Sequence, residues 1–80
     1  MELERRMVYV FVMRVPVSNY PQLHQLCWNR PDDTVLEGAD ALALYERNWR
    51  FVDKDALDAD ERALIDGLVQ QYGSGVFLAA

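Results

Sequence analysis

The stretch Asp58–Gly73, "DADERALIDGLVQQYG", is the clearest helix signal in the chain. Asp58 stands at a natural N-cap position, and Glu61 three residues later completes a capping-box pattern in which each side chain bonds the other residue's backbone amide. Gly73 is a typical residue just past a helix end. The stretch therefore predicts a helix with one apolar face at 3–4 spacing, made of Leu64, Ile65, Leu68, Val69 and Tyr72.

The acids between Asp53 and Glu61 also raise the alternative of a cation-binding loop. An EF-hand loop needs oxygen ligands at positions 1, 3 and 5, glycine at position 6 and glutamate at position 12. Counted from Asp53, positions 5, 6 and 12 fall on Leu57, Asp58 and Leu64. We therefore interpret these acids as the start of a helix, where the helix dipole favours negative charge, and expect no metal site.

The segment 7–17, "MVYVFVMRVPV", is rich in β-branched and aromatic residues and predicts a strand that ends at Pro16. Both of its alternating faces are apolar, so both need cover. We expect residues 7–15 to form the central strand and the terminal run 75–79 to pair with it. Three short helices would leave one face open, which favours a homodimer through residues 7–15; the alternative is a monomer with this strand threaded between helices.

Two further helices are predicted between these elements. Residues 18–31 give a short helix with Asn19 as its cap and Gln22 at the capping-box position. Residues 39–52 give a second helix, and core packing is the expected role of Tyr45 and Trp49. The predicted fold is a single mixed α/β (α+β) domain over residues 1–80, with a small sheet covered by three short helices in the order β-α-α-α-β.

The net charge of −5 is unevenly distributed. Residues 1–31 carry four arginines against two glutamates, whereas residues 32–80 carry eleven acids against four cations. An acidic chain repels phosphate backbones, so we expect no nucleic-acid partner. The apolar run 7–13 is too short to cross a bilayer and lacks the basic start of a signal peptide. Together with the single cysteine, Cys27, these features predict a cytoplasmic protein without a membrane partner.

Chemistry-bearing residues are few. His24 and Cys27 lie three residues apart, but a structural zinc site needs four ligands and the chain has one histidine and one cysteine. A Cys–His nucleophile pair would need the imidazole within hydrogen-bond reach of the sulfur and a third group to orient it. The glycines match no phosphate-binding spacing. We therefore expect Cys27 to be a small buried hydrophobe, with no metal, no cofactor and no catalytic residue in the chain.

Two functional hypotheses follow. The first is a small acidic, non-catalytic protein-interaction module, such as an adaptor, an inhibitor or an antitoxin-like protein, whose protein partner has a basic surface. Its candidate partner-binding residues are Trp28, Arg30, Arg47 and Arg50, since tryptophan and arginine are enriched at interface hot spots. Trp28 lies off the apolar face of Leu23 and Cys27, so we expect it to be exposed. The alternative is a small hydrolase or nuclease-type toxin that uses His24 with an arginine such as Arg30 or Arg47 near a phosphate. The acidic composition argues against this alternative.

Overall fold

The computed structural model describes residues 13–73 and 75–78, which form a mixed α+β fold as predicted. These residues contain a two-stranded antiparallel sheet and three α-helices. In chain order the elements are β1 (Arg14–Pro16), α1 (Pro21–Leu26), β2 (Val35–Glu37), α2 (Gly38–Arg47) and α3 (Ala59–Tyr72). Single turns of 3₁₀ helix lie at Val17–Asn19, Trp49–Phe51 and Lys54–Ala56.

The sheet joins β1 to a strand that the sequence did not reveal. In β2, Leu36 lies opposite Val15 of β1, and both side chains are buried. The backbone N–H of Gly38 donates to the carbonyl of Met13 at 2.8 Å, which continues the pairing past β2. With three residues, β2 is shorter than the runs that mark a strand by pattern, and its two apolar residues, Val35 and Leu36, are adjacent and show no alternation.

The predicted terminal strand is wrong over residues 75–78, which are irregular. Gly75 has a φ of 82°, in the left-handed region that favours glycine. Beyond it, the Phe77 ring packs edge-on against Trp49 with 4.9 Å between the ring centroids. The backbone N–H of Leu78 donates to Oε2 of Glu46 at 2.9 Å. Contacts with the Trp49 and Glu46 side chains therefore take the place of strand pairing over residues 75–78. The rest of the two strands predicted to pair, residues 7–12 and 79, lies outside the described residues.

The structure confirms the helix that the Asp58–Gly73 stretch predicts and half of its capping box. The Asp58 Oδ1 atom accepts the backbone N–H of Glu61 at 2.8 Å. Glu61 does not reach back to Asp58, so that half of the prediction is wrong. Gly73 ends the helix without a positive φ, and its N–H donates to the carbonyl of Val69.

Glu61 is instead fully buried, with 0% of its surface exposed. Its Oε1 accepts the backbone N–H of Gln22 at 3.0 Å, and its Oε2 accepts the N–H of Leu23 at 2.9 Å. The Tyr45 hydroxyl donates to the same Oε2 at 2.6 Å. The first amides of a helix have no acceptor within the helix, so a carboxylate on α3 caps α1 and binds α2 at once.

This arrangement corrects the predicted start of the first helix. Tyr20 occupies the N-cap position without a side-chain capping bond, and Asn19 belongs to the preceding 3₁₀ turn. The Gln22 side chain is buried and accepts the backbone N–H of Asp53 at 2.9 Å through Oε1. The helix covers only residues 21–26 of the predicted span 18–31. It begins where the Glu61 carboxylate accepts its first amides, and Cys27 is its C-cap.

The second helix is also shorter than predicted. It ends at Arg47, with Asn48 as its C-cap. The Asn48 Nδ2 atom donates to the carbonyl of Leu44 at 2.9 Å, and the chain then continues as a 3₁₀ turn. Tyr45 lies in the core as expected, whereas Trp49 is only partly buried against the core. The buried apolar cluster draws on every strand and α-helix described: Val15, Val17, Leu23, Cys27, Leu36, Ala41, Leu42, Tyr45, Val52, Leu57, Leu64, Ile65 and Leu68.

Burial and the hydrogen bond to Glu61 raise the pKa of Tyr45 above the ordinary tyrosine value. The unfolded chain loses the phenol proton near pH 10 while the folded chain keeps it, so the stabilisation is complete below pH 10 and declines above it. We predict that the free energy of unfolding falls by up to about 1.4 kcal/mol per pH unit above pH 10 through this group. Urea unfolding of the wild type at a series of pH values measures this slope.

The matched variants are Tyr45→Phe and Tyr20→Phe. Tyr45→Phe should lower stability at neutral pH, because Glu61 loses a donor, and should flatten the alkaline slope. Tyr20→Phe should keep the slope, since Tyr45 is intact. Equal slopes in the wild type and in Tyr45→Phe would contradict the assignment.

Candidate functional site

Trp28 is the most exposed large apolar side chain among the described residues, with 83% of its surface accessible. It follows Cys27, whose side chain is buried in the core, and it lies within a tight turn in which the N–H of Arg30 donates to the carbonyl of Cys27 at 2.9 Å. Because Leu23 and Cys27 face inward, the next residue faces outward. The structure thus confirms the exposed position expected for Trp28. We call Trp28, Asn29 and Arg30, all exposed, the Trp28 surface.

The other candidate arginines lie at the far end of α2. Arg47 is exposed in its last turn, and Arg50 is exposed in the following 3₁₀ turn. The guanidinium carbon of Arg50 lies 5.0 Å from the centroid of the Phe51 ring, itself 65% exposed. Within the described residues, no hydrogen bond, ion pair or ring contact joins this end of α2 to the Trp28 surface. The four candidate residues therefore form two separate groups, and Phe51 belongs to the second although sequence reasoning did not select it.

His24 and Cys27 do not form the pair that their spacing allows. The His24 Nε2 atom lies 2.9 Å from Oδ1 of Asp32, with 43% and 87% of the two side chains exposed. An exposed pair of this kind contributes little stability. Cys27 is 2% exposed, and burial raises the pKa of its thiol, an effect that the positive charge of Arg30 partly offsets. The imidazole is therefore oriented by a carboxylate but faces no sulfur nucleophile.

A groove of about 790 Å³ opens between α3, the segment 49–57 and residues 75–77. Its walls include the Trp49 and Phe77 rings and the cations of Lys54 and Arg62. Sequence reasoning missed this site because its lining comes from three segments with no shared motif.

No group of three or more histidine, cysteine, aspartate or glutamate side chains in the described part of the chain is placed to hold a metal ion. Among the helices of residues 13–73, none is long and apolar enough to cross a bilayer. No protein-family model matches the chain, and comparison with curated proteins and with solved structures gave no significant match.

The burial of Cys27 makes its reactivity a direct test of this geometry. We predict that the folded protein reacts with dithiodipyridine far more slowly than the unfolded chain does at the same pH, because the thiol is both inaccessible and protonated. The rate should rise only as denaturant unfolds the protein. Absorbance of released thiopyridone gives this rate without ambiguity, since the chain has one cysteine. Equal rates for the folded and unfolded chains would contradict the buried position.

Proposed function

We propose that the chain is a small acidic, non-catalytic protein-interaction module and that Trp28 is the centre of its contact surface. The observation that carries this proposal is the 83% exposure of the Trp28 indole. Burying a side chain of this size contributes more to an interface than burying almost any other. Arg30, exposed two residues later, is the other residue type that dominates interface hot spots.

The charge of the molecule supports a partner with a basic surface. Asp32 and Asp33, both exposed, follow the Trp28 surface in the chain after Pro31. The net charge of −5 attracts a positive partner and speeds its association. An aromatic anchor beside carboxylates therefore fits a basic protein that offers an apolar pocket.

Arg47, Arg50 and Phe51 form a second exposed group, to which we assign a supporting role in binding. The Arg50 guanidinium lies over the Phe51 ring, so the two exposed side chains present a joint cationic and aromatic surface. The homodimer through residues 7–15 stays a prediction, because residues 7–12 lie outside the described residues.

The enzymatic alternative gains no support from the position of His24. Its ring bonds to Asp32, and the described residues provide neither a nucleophile nor an arginine in contact with it. His24→Ala still separates the two functions, since loss of a cellular activity with unchanged folding would favour an enzyme.

We predict that Trp28→Ala weakens binding to the partner by about 2 kcal/mol or more, roughly thirtyfold. The same change should alter the free energy of unfolding by less than about 0.5 kcal/mol, as expected for an exposed site. A partner captured from the native host with the wild type should be purified and titrated against Trp28→Ala by calorimetry. Phe51→Ala is the matched control for loss of an exposed aromatic ring, and it should weaken binding less.

Binding of Trp28→Ala with wild-type affinity would refute the proposal. So would equal losses in Trp28→Ala and Phe51→Ala, because the centre of the interface would then lie elsewhere.

A further inference from the structure

We propose that the groove between α3 and the segment 49–57 binds a small monocarboxylate with an apolar tail. This site is separate from the Trp28 surface and goes beyond the interaction function. Its volume, about 790 Å³, lies within the range of small-molecule sites, roughly 300–1,000 Å³. Such sites combine an apolar lining with a few polar groups that orient the ligand.

The apolar part of the groove suits a hydrocarbon tail. Ile65 and Val69 of α3 line it together with Leu57, and the Trp49 and Phe77 rings form an aromatic wall. The two rings hold each other in an edge-to-face contact at 4.9 Å, so this wall exists before a ligand binds.

The polar part contains two of the four cations found in residues 32–80. The Lys54 ammonium donates to the carbonyls of Trp49 and Val52 and lies 5.1 Å from the Trp49 ring centroid. The Arg62 guanidinium donates to the carbonyls of Leu57 and Lys54. These bonds hold both cations in place, and all four acceptors are uncharged backbone carbonyls.

Within the described residues, the ion pair with an N–O distance below 4.0 Å is that of His24 and Asp32. Neither Lys54 nor Arg62 therefore forms an ion pair with a carboxylate of the described residues. Asp66 also lines the groove and offsets one of the two positive charges. The lining thus carries one net positive charge on a protein whose total is −5. A ligand with one negative charge complements this balance, whereas the second charge of a phosphate monoester would be repelled by Asp66 and by the acidic protein.

The test compares three ligands with the same tail: octanoate, octanol and octylammonium. The chain has two tryptophans, so a Trp28→Phe background leaves Trp49, in the groove wall, as the single tryptophan, which can be excited selectively where tyrosine does not absorb. Each ligand is titrated below its micelle concentration while Trp49 emission is recorded. Octanoate should change the emission at a lower concentration than the other two ligands. Octanol should bind more weakly and octylammonium weakest.

Lys54→Met keeps the aliphatic stem and removes the charge, and Arg47→Met is the matched control outside the groove. Lys54→Met should weaken octanoate binding by up to about fivefold, the upper end for one exposed ion pair, and should weaken octanol binding less. Asp66→Asn should strengthen octanoate binding, and Arg47→Met should change neither ligand. Circular dichroism checks that each variant is folded.

The proposal fails if octanoate gives no saturable change at millimolar concentration, or if the three head groups bind equally. Equal losses in Lys54→Met and Arg47→Met would also overturn it, because the anion would then respond to overall charge and not to the groove. The head-group comparison uses the Lys54-containing protein, so it decides the question even if a variant does not fold.

Discussion

The buried carboxylate of Glu61 is the constraint on which the helical part of the fold depends. A carboxylate out of water is costly unless hydrogen bonds replace those to the solvent. Here two backbone amides of α1 and the Tyr45 hydroxyl of α2 provide them, while Asp58 binds the Glu61 amide itself. Six residues of helix are too few to be stable alone. The position of α1 therefore follows from Glu61, and the buried side chains of Leu23 and Cys27 then pack against the core.

Because the first turn of α1 is held by Glu61, the position of the residues that follow its last turn is also defined. Gln22 adds a second tie by accepting the amide of Asp53, which joins the start of α1 to the segment between α2 and α3. The opposite end turns outward at Cys27 and presents Trp28 to solvent. A backbone that is already held by the fold loses little further freedom when the indole it carries is bound, which lowers the cost of association. The proposed function therefore rests on the same interactions that hold the helices together.

The sequence predicts those features whose cause is local. The α3 period and the Asp58 cap depend on residues three or four apart, and Trp28 was correctly placed outside because it lies off the apolar face. The capping box predicts a local partner for the Glu61 side chain, whereas its actual partners are 39, 38 and 16 residues away. The strand-like run at 75–78 was overridden by the contacts of Phe77 and Leu78 with Trp49 and Glu46. The groove depends equally on segments that only the folded chain brings together.

Hydrogen exchange at the first turn of α1 tests the central role of Glu61 most directly. First-turn amides normally exchange fast, because they have no acceptor within the helix. If the carboxylate holds them, the amides of Gln22 and Leu23 should be protected nearly as strongly as the core, whereas that of Asp60, an exposed first-turn residue of α3, should exchange rapidly. In Glu61→Gln, which retains one acceptor oxygen, protection at Gln22 and Leu23 should fall more than at the centre of α3. Rapid exchange of both amides in the wild type would contradict the account.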